Sequence, residues 1–254
     1  MVRFHIFQTF KKYSMANIIK IDNAVLKRTS RVEKKRKEKT REVRVYFLIV
    51  CEGEKTEPNY FKSFKTNVKS FVYTIDTLGE GSNTKDLVKR TIKARDKSSQ
   101  EYDSVWVVFD KDSFSPNNFN GAIELAENND IKVGWSNEAF ELWYLLHFQY
   151  RNTSMSRSDY KRVIEDEINA KIAAQSKSKN PKKFVYTKNS AEMYAVLEKY
   201  GNQKQAISNA KKLILNHNCK NFAIHNPCTR VHLLVEELNG DSVELNEQIK
   251  QKMG

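Results

Sequence analysis

The chain has 254 residues, with 44 Lys+Arg against 31 Asp+Glu, a formal charge of +13. Glycine (8) and proline (4) are too sparse for a collagen-like or Pro/Gly low-complexity protein, and no apolar run approaches the roughly 18 residues of a membrane span. The 14 Phe, 11 Tyr and 3 Trp supply enough apolar bulk for one large domain, or for a core domain with an appendage.

Residues 1–14 (MVRFHIFQTFKKYS) lack the apolar region and small-residue cleavage site of a secretory signal. Met15 opens a more ordinary amino terminus, so the expectation is a start assigned too early; a basic transit peptide is the rival reading. Cys51, Cys219 and Cys228 are an odd, sparse set, which points to a reducing interior and a cytoplasmic location instead of a disulfide framework.

Residues 1–42 read as a basic arm. From Lys27 to Arg44 ten Lys/Arg face three Asp/Glu, a net +7 in 18 residues. The centre of that run is Lys34, Lys35, Arg36, Lys37 and Lys39. It is too polar to bury itself. It is either a solvated face or an arm that neutralises phosphates and draws nucleic acid without regard to sequence. A second basic stretch, SKSKNPKK (Ser176–Lys183), reads as an exposed loop with the same use.

Val43 to Cys51 (VRVYFLIVC) is β-branched, aromatic and nearly all apolar, which predicts a strand buried on both faces of a parallel sheet. Pro58 suits the first turn of a helix running to about Ser70. Phe71–Thr77 reads as a second strand. Gly79-Glu80-Gly81-Ser82 follows as a tight loop, whose N–H groups are a weaker phosphate-binding candidate. A capped helix is then predicted over Lys85–Lys97. Ser104–Asp110 reads as a third strand, Asn120–Asn129 as a helix and Ile131–Ser136 as a short fourth strand. Asn137–Phe148 reads as a buried helix. This alternation predicts an α/β fold, a mostly parallel sheet flanked by helices over residues 43–150. The rest, 151–254, shows no strand signal. It reads as a mainly helical carboxyl-terminal part, with helices near Ser158–Ala174, Ser190–Lys199, Gln203–Asn216 and Thr229–Asn239.

Chemistry concentrates at two strand ends. The first strand runs into Glu52-Gly53-Glu54-Lys55-Thr56-Glu57 and the third into Asp110-Lys111-Asp112. In an open α/β sheet the carboxyl ends of the strands face the ligand crevice. Glu52, Asp110 and Asp112 should therefore converge there, and a hard divalent ion, Mg²⁺ or Mn²⁺, would relieve their repulsion. Asp-x-Asp on an extended exit directs both side chains to one side, and Gly53 is expected to let the backbone turn sharply. The plainer reading makes these acids helix caps and loop residues. Lys55 and Lys188 are candidate phosphate partners or mere surface charges. Glu141, inside AFELWYLL, needs a partner if buried: a salt bridge to an arginine, or a site role. His217, Cys219, His225, Cys228 and His232 raise zinc, but their spacing fits no standard finger.

The segments CEGEKTEPNYF, LGEGSNTKDLV, VWVVFDKD, SNEAFELWYLLHF and NPCTRVHLLVEEL, in that order, resemble the RloB-like family. Glu-Gly after the first strand and Asp-x-Asp after the third also resemble the Toprim pattern of topoisomerases, primases and overcoming-lysogenization-defect nucleases. The family resemblance implies a bacterial protein of abortive infection and anti-phage defence, often encoded beside an ATPase called RloA. The Toprim resemblance implies divalent metal on Glu52, Asp110 and Asp112 and phosphodiester chemistry, with Glu57 a less regular match. The leading expectation is a metal-dependent nuclease acting on RNA or DNA. The alternatives are a non-catalytic nucleic-acid-binding or sensor subunit of an ATPase complex, and a nucleotidyl transferase using the same acids. No membrane association is expected, and self-association is left open.

Overall fold

The computed structural model describes residues 43–65, 71–79 and 84–253. The basic arm with Lys34, Lys35, Arg36, Lys37 and Lys39 lies outside them, as do residues 80–83 of the expected tight loop. Residues 43–254 form one compact unit.

Five strands make one sheet in the order β2-β1-β3-β4-β5: β1 Val43–Cys51, β2 Phe71–Gly79, β3 Ser104–Asp110, β4 Lys132–Asn137 and β5 Cys228–Thr229. The first four are parallel, which bears out the expected α/β class. Parallel strands need crossovers, and helices α1 (Thr56–Lys62), α2 (Thr84–Lys97) and α3 (Pro116–Glu127) supply them. Such strands are covered on both faces, and β3 is buried at every position.

Because β1 sits between β2 and β3, the chain leaves β1 in one direction for β2 and later returns to its other side. The carboxyl ends of β1 and β3 thus flank the point where strand order reverses, where open α/β sheets form their crevice. Cys51 pairs with Val108 across these two strands, and the Glu52 N–H donates to the Val108 carbonyl at 2.9 Å.

Several expectations need correction. Pro58 does lie in the first turn of α1, but that helix ends at Lys62 instead of running to Ser70. Helix α3 starts at Pro116, not Asn120. The Ser115 hydroxyl accepts from the Asn118 N–H, and Pro116 fits the first turn, where its missing N–H costs nothing. The buried helix α4 covers only Glu141–Leu146. The second half does contain a strand: β5 pairs antiparallel with β4 through Ser136↔Thr229 and Asn137↔Cys228. The remaining helices are α5 (Arg157–Gln175), α6 (Met193–Tyr200), α7 (Gln203–Leu215), α8 (Val231–Leu238) and α9 (Val243–Met253). Helix α9, which buries Leu245 and Ile249, was not anticipated. Ser176–Lys183 is a loop with exposed lysines, as expected. No described helix is long and apolar enough to cross a membrane.

Candidate functional site

At the carboxyl ends of β1 and β3 lies a cleft of about 610 Å³. Its lining includes Glu52, Glu54, Glu57, Asp110, Asp112 and Glu141 against Lys55, Arg157 and Lys188. The excess of acid is notable in a chain of charge +13. The expected triad does come together. The Glu52 carboxylate accepts from the Asp110 backbone N–H at 3.1 Å, across a separation of 58 positions.

Asp110 and Asp112 meet for a different reason from the one expected. The extended strand ends at Asp110, and the Lys111 N–H extends the ladder by one bond to the Ser136 carbonyl. Asp112 then turns into the left-handed region at φ 38°, which Asp tolerates better than most residues. The alternation argument therefore fails, yet both carboxylates reach Arg157. Its Nη2 lies 3.0 Å from Asp110 Oδ2 and its Nη1 3.5 Å from Asp112 Oδ2. Lys111, between them in sequence, instead aims its ammonium at the Asp112 and Phe114 carbonyls.

Glu57 and Glu141 are brought in by packing. Tyr60 on α1 packs edge-on against Phe140 at 5.7 Å, and Phe140 against Tyr144 at 5.3 Å. The Trp143 indole N–H donates to the Tyr60 hydroxyl at 2.9 Å. Each such aromatic pair adds about 0.5–1.5 kcal/mol beyond its buried area. This contact locks α1 to α4 and so fixes the two glutamates at one cleft. The Tyr186 hydroxyl donates to Glu141 at 3.2 Å, so a tyrosine takes the place of the expected arginine partner. The segment carrying Tyr186 and Lys188 is pinned to α1 by hydrogen bonds of Asn189 with Thr56 and Asn59.

Gly53 is also explained differently. Among the described glycines only Gly240 has a positive φ, so Gly53 is not required for an unusual turn. What it leaves is room for the Glu57 carboxylate, since a Cβ there would lie 2.1 Å from Glu57 Oε2 and that carboxylate would have to move.

The electrostatics are strained. Glu57 and Asp110 are 6% and 7% exposed, and Glu57 Oε2 and Asp110 Oδ1 have no hydrogen-bond partner. Burial, then the neighbouring Glu57 and Glu141, pushes the Asp110 carboxyl well above its usual range; Arg157 pulls it down but is outweighed. Burial and Glu141 likewise raise Glu57, against Arg157 and Lys188. Glu52 is pushed up to about 7, chiefly by burial, opposed by its bond from the Asp110 N–H and aided by Glu57 and Asp112.

Among the described residues no group of three or more His, Cys, Asp or Glu side chains stands in metal-holding geometry. In the acidic cleft the Arg157 guanidinium is the cation between Asp110 and Asp112. In the histidine–cysteine set, Cys219 Sγ lies 3.4 Å from His225 Nε2, and His217 stacks on His225 at 4.2 Å. The donor chemistry of the cleft still suits a hard ion. Six carboxylates line it, and two of their oxygens are buried and without partners.

Fold and cleft define an α/β protein whose candidate ligand site is an acidic crevice at the switch point of a parallel sheet. The RloB-like protein family matches residues 47–238, most of the chain, and the chain belongs to that family. No curated protein and no solved structure matches it.

Proposed function

We propose that this RloB-like protein is a divalent-metal-dependent nuclease of phage defence by abortive infection, with a Toprim-like core that hydrolyses phosphodiester bonds of RNA or DNA. One observation carries the reading. Two carboxylates more than nine-tenths buried keep unpartnered oxygens at the crevice of a strongly basic chain. Leaving a buried polar oxygen without a partner is costly, and a cation-binding role accounts for that cost.

Glu52, Asp110 and Asp112 would hold Mg²⁺ or Mn²⁺, with Glu57 beside them. The bound ion would lower the pKa of water and polarise the phosphate. The protein's part is to exclude bulk solvent from Asp110 and Glu57 and to fix their carboxylates through the α1–α4 aromatic contact. Glu52 can exchange a proton near neutral pH. The basic arm, including Lys34, Lys35, Arg36, Lys37 and Lys39, would supply salt-sensitive attraction to the nucleic acid. A cytoplasmic setting beside an RloA-type ATPase completes the reading.

Cleavage of single-stranded RNA and DNA by the purified protein should require Mg²⁺ or Mn²⁺, stop in EDTA, and fall about 10³-fold or more in Asp110→Ala. Arg157 between Asp110 and Asp112 favours a second reading, a non-catalytic nucleic-acid-binding subunit of an ATPase complex. In that case Asp110→Ala leaves nucleic-acid binding and defence intact, while charge reversals over Lys34–Arg44 abolish both.

A further inference from the structure

Arg157 is the first residue of α5. A cation is disfavoured there, because the free N–H groups of a helix start carry partial positive charge. The rest of that first turn follows the usual rule: the Ser156 side chain accepts from the Asp159 N–H, and Asp159 places an acid in the turn. The helix therefore gives no reason for Arg157, whereas the cleft does. Its guanidinium is shared between two carboxylates, one nitrogen to each, and the contact to Asp112 is long. It makes no two-pronged fork on either one. Its side chain is 34% exposed while that of Asp110 is 10%, so it sits nearer the rim of the cleft.

A guanidinium and a divalent ion cannot both lie against the same carboxylate oxygens without strong mutual repulsion. The geometry points to Arg157 as the phosphate-binding residue of this cleft, parked on Asp110 and Asp112 until a divalent ion takes those carboxylates and frees it for the substrate. The inference rests on the divalent-ion reading above. A freed guanidinium matches the planar, two-oxygen face of a phosphate better than lysine does. Lys111, the neighbouring cation in sequence, is engaged by backbone carbonyls.

The test uses the full chain as wild type, Arg157→Gln and Arg157→Lys. Thermal melting is followed as Mn²⁺ is titrated in. Binding of thymidine 3′,5′-bisphosphate, a small mimic of the phosphates of a cut strand, is then measured calorimetrically in Ca²⁺. In Arg157→Gln the Mn²⁺ midpoint should fall about tenfold, because the competitor is gone, and the bisphosphate should bind about tenfold more weakly. Arg157→Lys, which keeps charge but not shape, should fall between on both measures and carries the test if the glutamine variant folds poorly. Equal Mn²⁺ midpoints in all three proteins, or equal bisphosphate affinity, would overturn the role of Arg157 and leave the metal reading standing. A Mn²⁺ titration that shifts the melting of neither wild type nor variant would overturn both.

Discussion

The two ends of the same sheet treat buried acid in opposite ways. At the amino end, Glu237 reaches in from α8 and is 5% exposed. Its Oε2 accepts from the Ser104 hydroxyl at 2.7 Å and the Trp106 indole at 2.8 Å, and its Oε1 from the Lys132 ammonium. At the carboxyl end, Asp110 and Glu57 are as deeply placed, yet each leaves an oxygen without a partner. The cleft at the amino end is the larger, about 950 Å³ against 610 Å³, but several of its charges are answered locally. Asp103 meets Lys252 at 2.7 Å and Glu127 meets Arg230 at 3.4 Å. Size therefore does not mark the candidate site; incomplete neutralisation is what sets it apart. A saturated buried carboxylate ties elements together, whereas an unsaturated one stores a demand for a cation.

That contrast can be broken by mutation. Glu237→Ala should cost about 2–3 kcal/mol in chemical denaturation, since it strands the Trp106 and Lys132 donors. An unchanged midpoint would mean that the amino-end network is ornamental. Gly53→Ala should do little to stability. It should nevertheless raise the Mn²⁺ midpoint in melting titrations about tenfold, because its methyl must displace the Glu57 carboxylate. Equal midpoints would show that Glu57 takes no part. Glu57→Gln, measured at pH 8 in EDTA, should gain about 1 kcal/mol by replacing a buried acid crowded by Glu141, one oxygen of which lacks a partner; a loss instead would mean the oxygen is already satisfied.

The mildest test is pH. The folded protein holds the Glu52 proton up to about 7, whereas the unfolded chain releases it near 4.5. The folded state binds more protons across that window, so stability should fall as pH rises through it, and Asp110 and Glu57 shift in the same direction. Saturating Mn²⁺ should flatten the slope, since it supplies the missing positive charge. A slope that survives saturation would place the titrating acids away from the ion.

How much of this was legible follows from distance along the chain. Continuous apolar runs such as Val43–Cys51 betray strands buried on both faces, and parallel strands oblige their carboxyl ends to share a rim. That is why Glu52 and Asp110 could be paired without coordinates. Arg157 could not, because it approaches Asp110 from 47 residues away on a helix whose inward-facing residue no local pattern marks. Strand β5 is two residues long and has no periodicity to detect. Gly53 and Asp112 sit where the spacing predicts, for a different physical reason. Glycine signals either backbone freedom or space, and only the position of Glu57 tells which. For Asp112, a left-handed turn replaces the extended exit that its spacing suggested.

Strand β5 has a practical consequence for anyone trimming this protein. Cys228 and Thr229 cover the outer edge of β4, and the Thr229 hydroxyl lies 3.0 Å from that of Ser136. A version stopped after the parallel strands would uncover the backbone donors and acceptors along this border, together with the large indole of Trp135. Bare borders of that kind recruit strands from other molecules. The shortened protein should therefore precipitate instead of yielding a minimal domain, and expression trials should keep everything through α9, which buries Leu245 and Ile249.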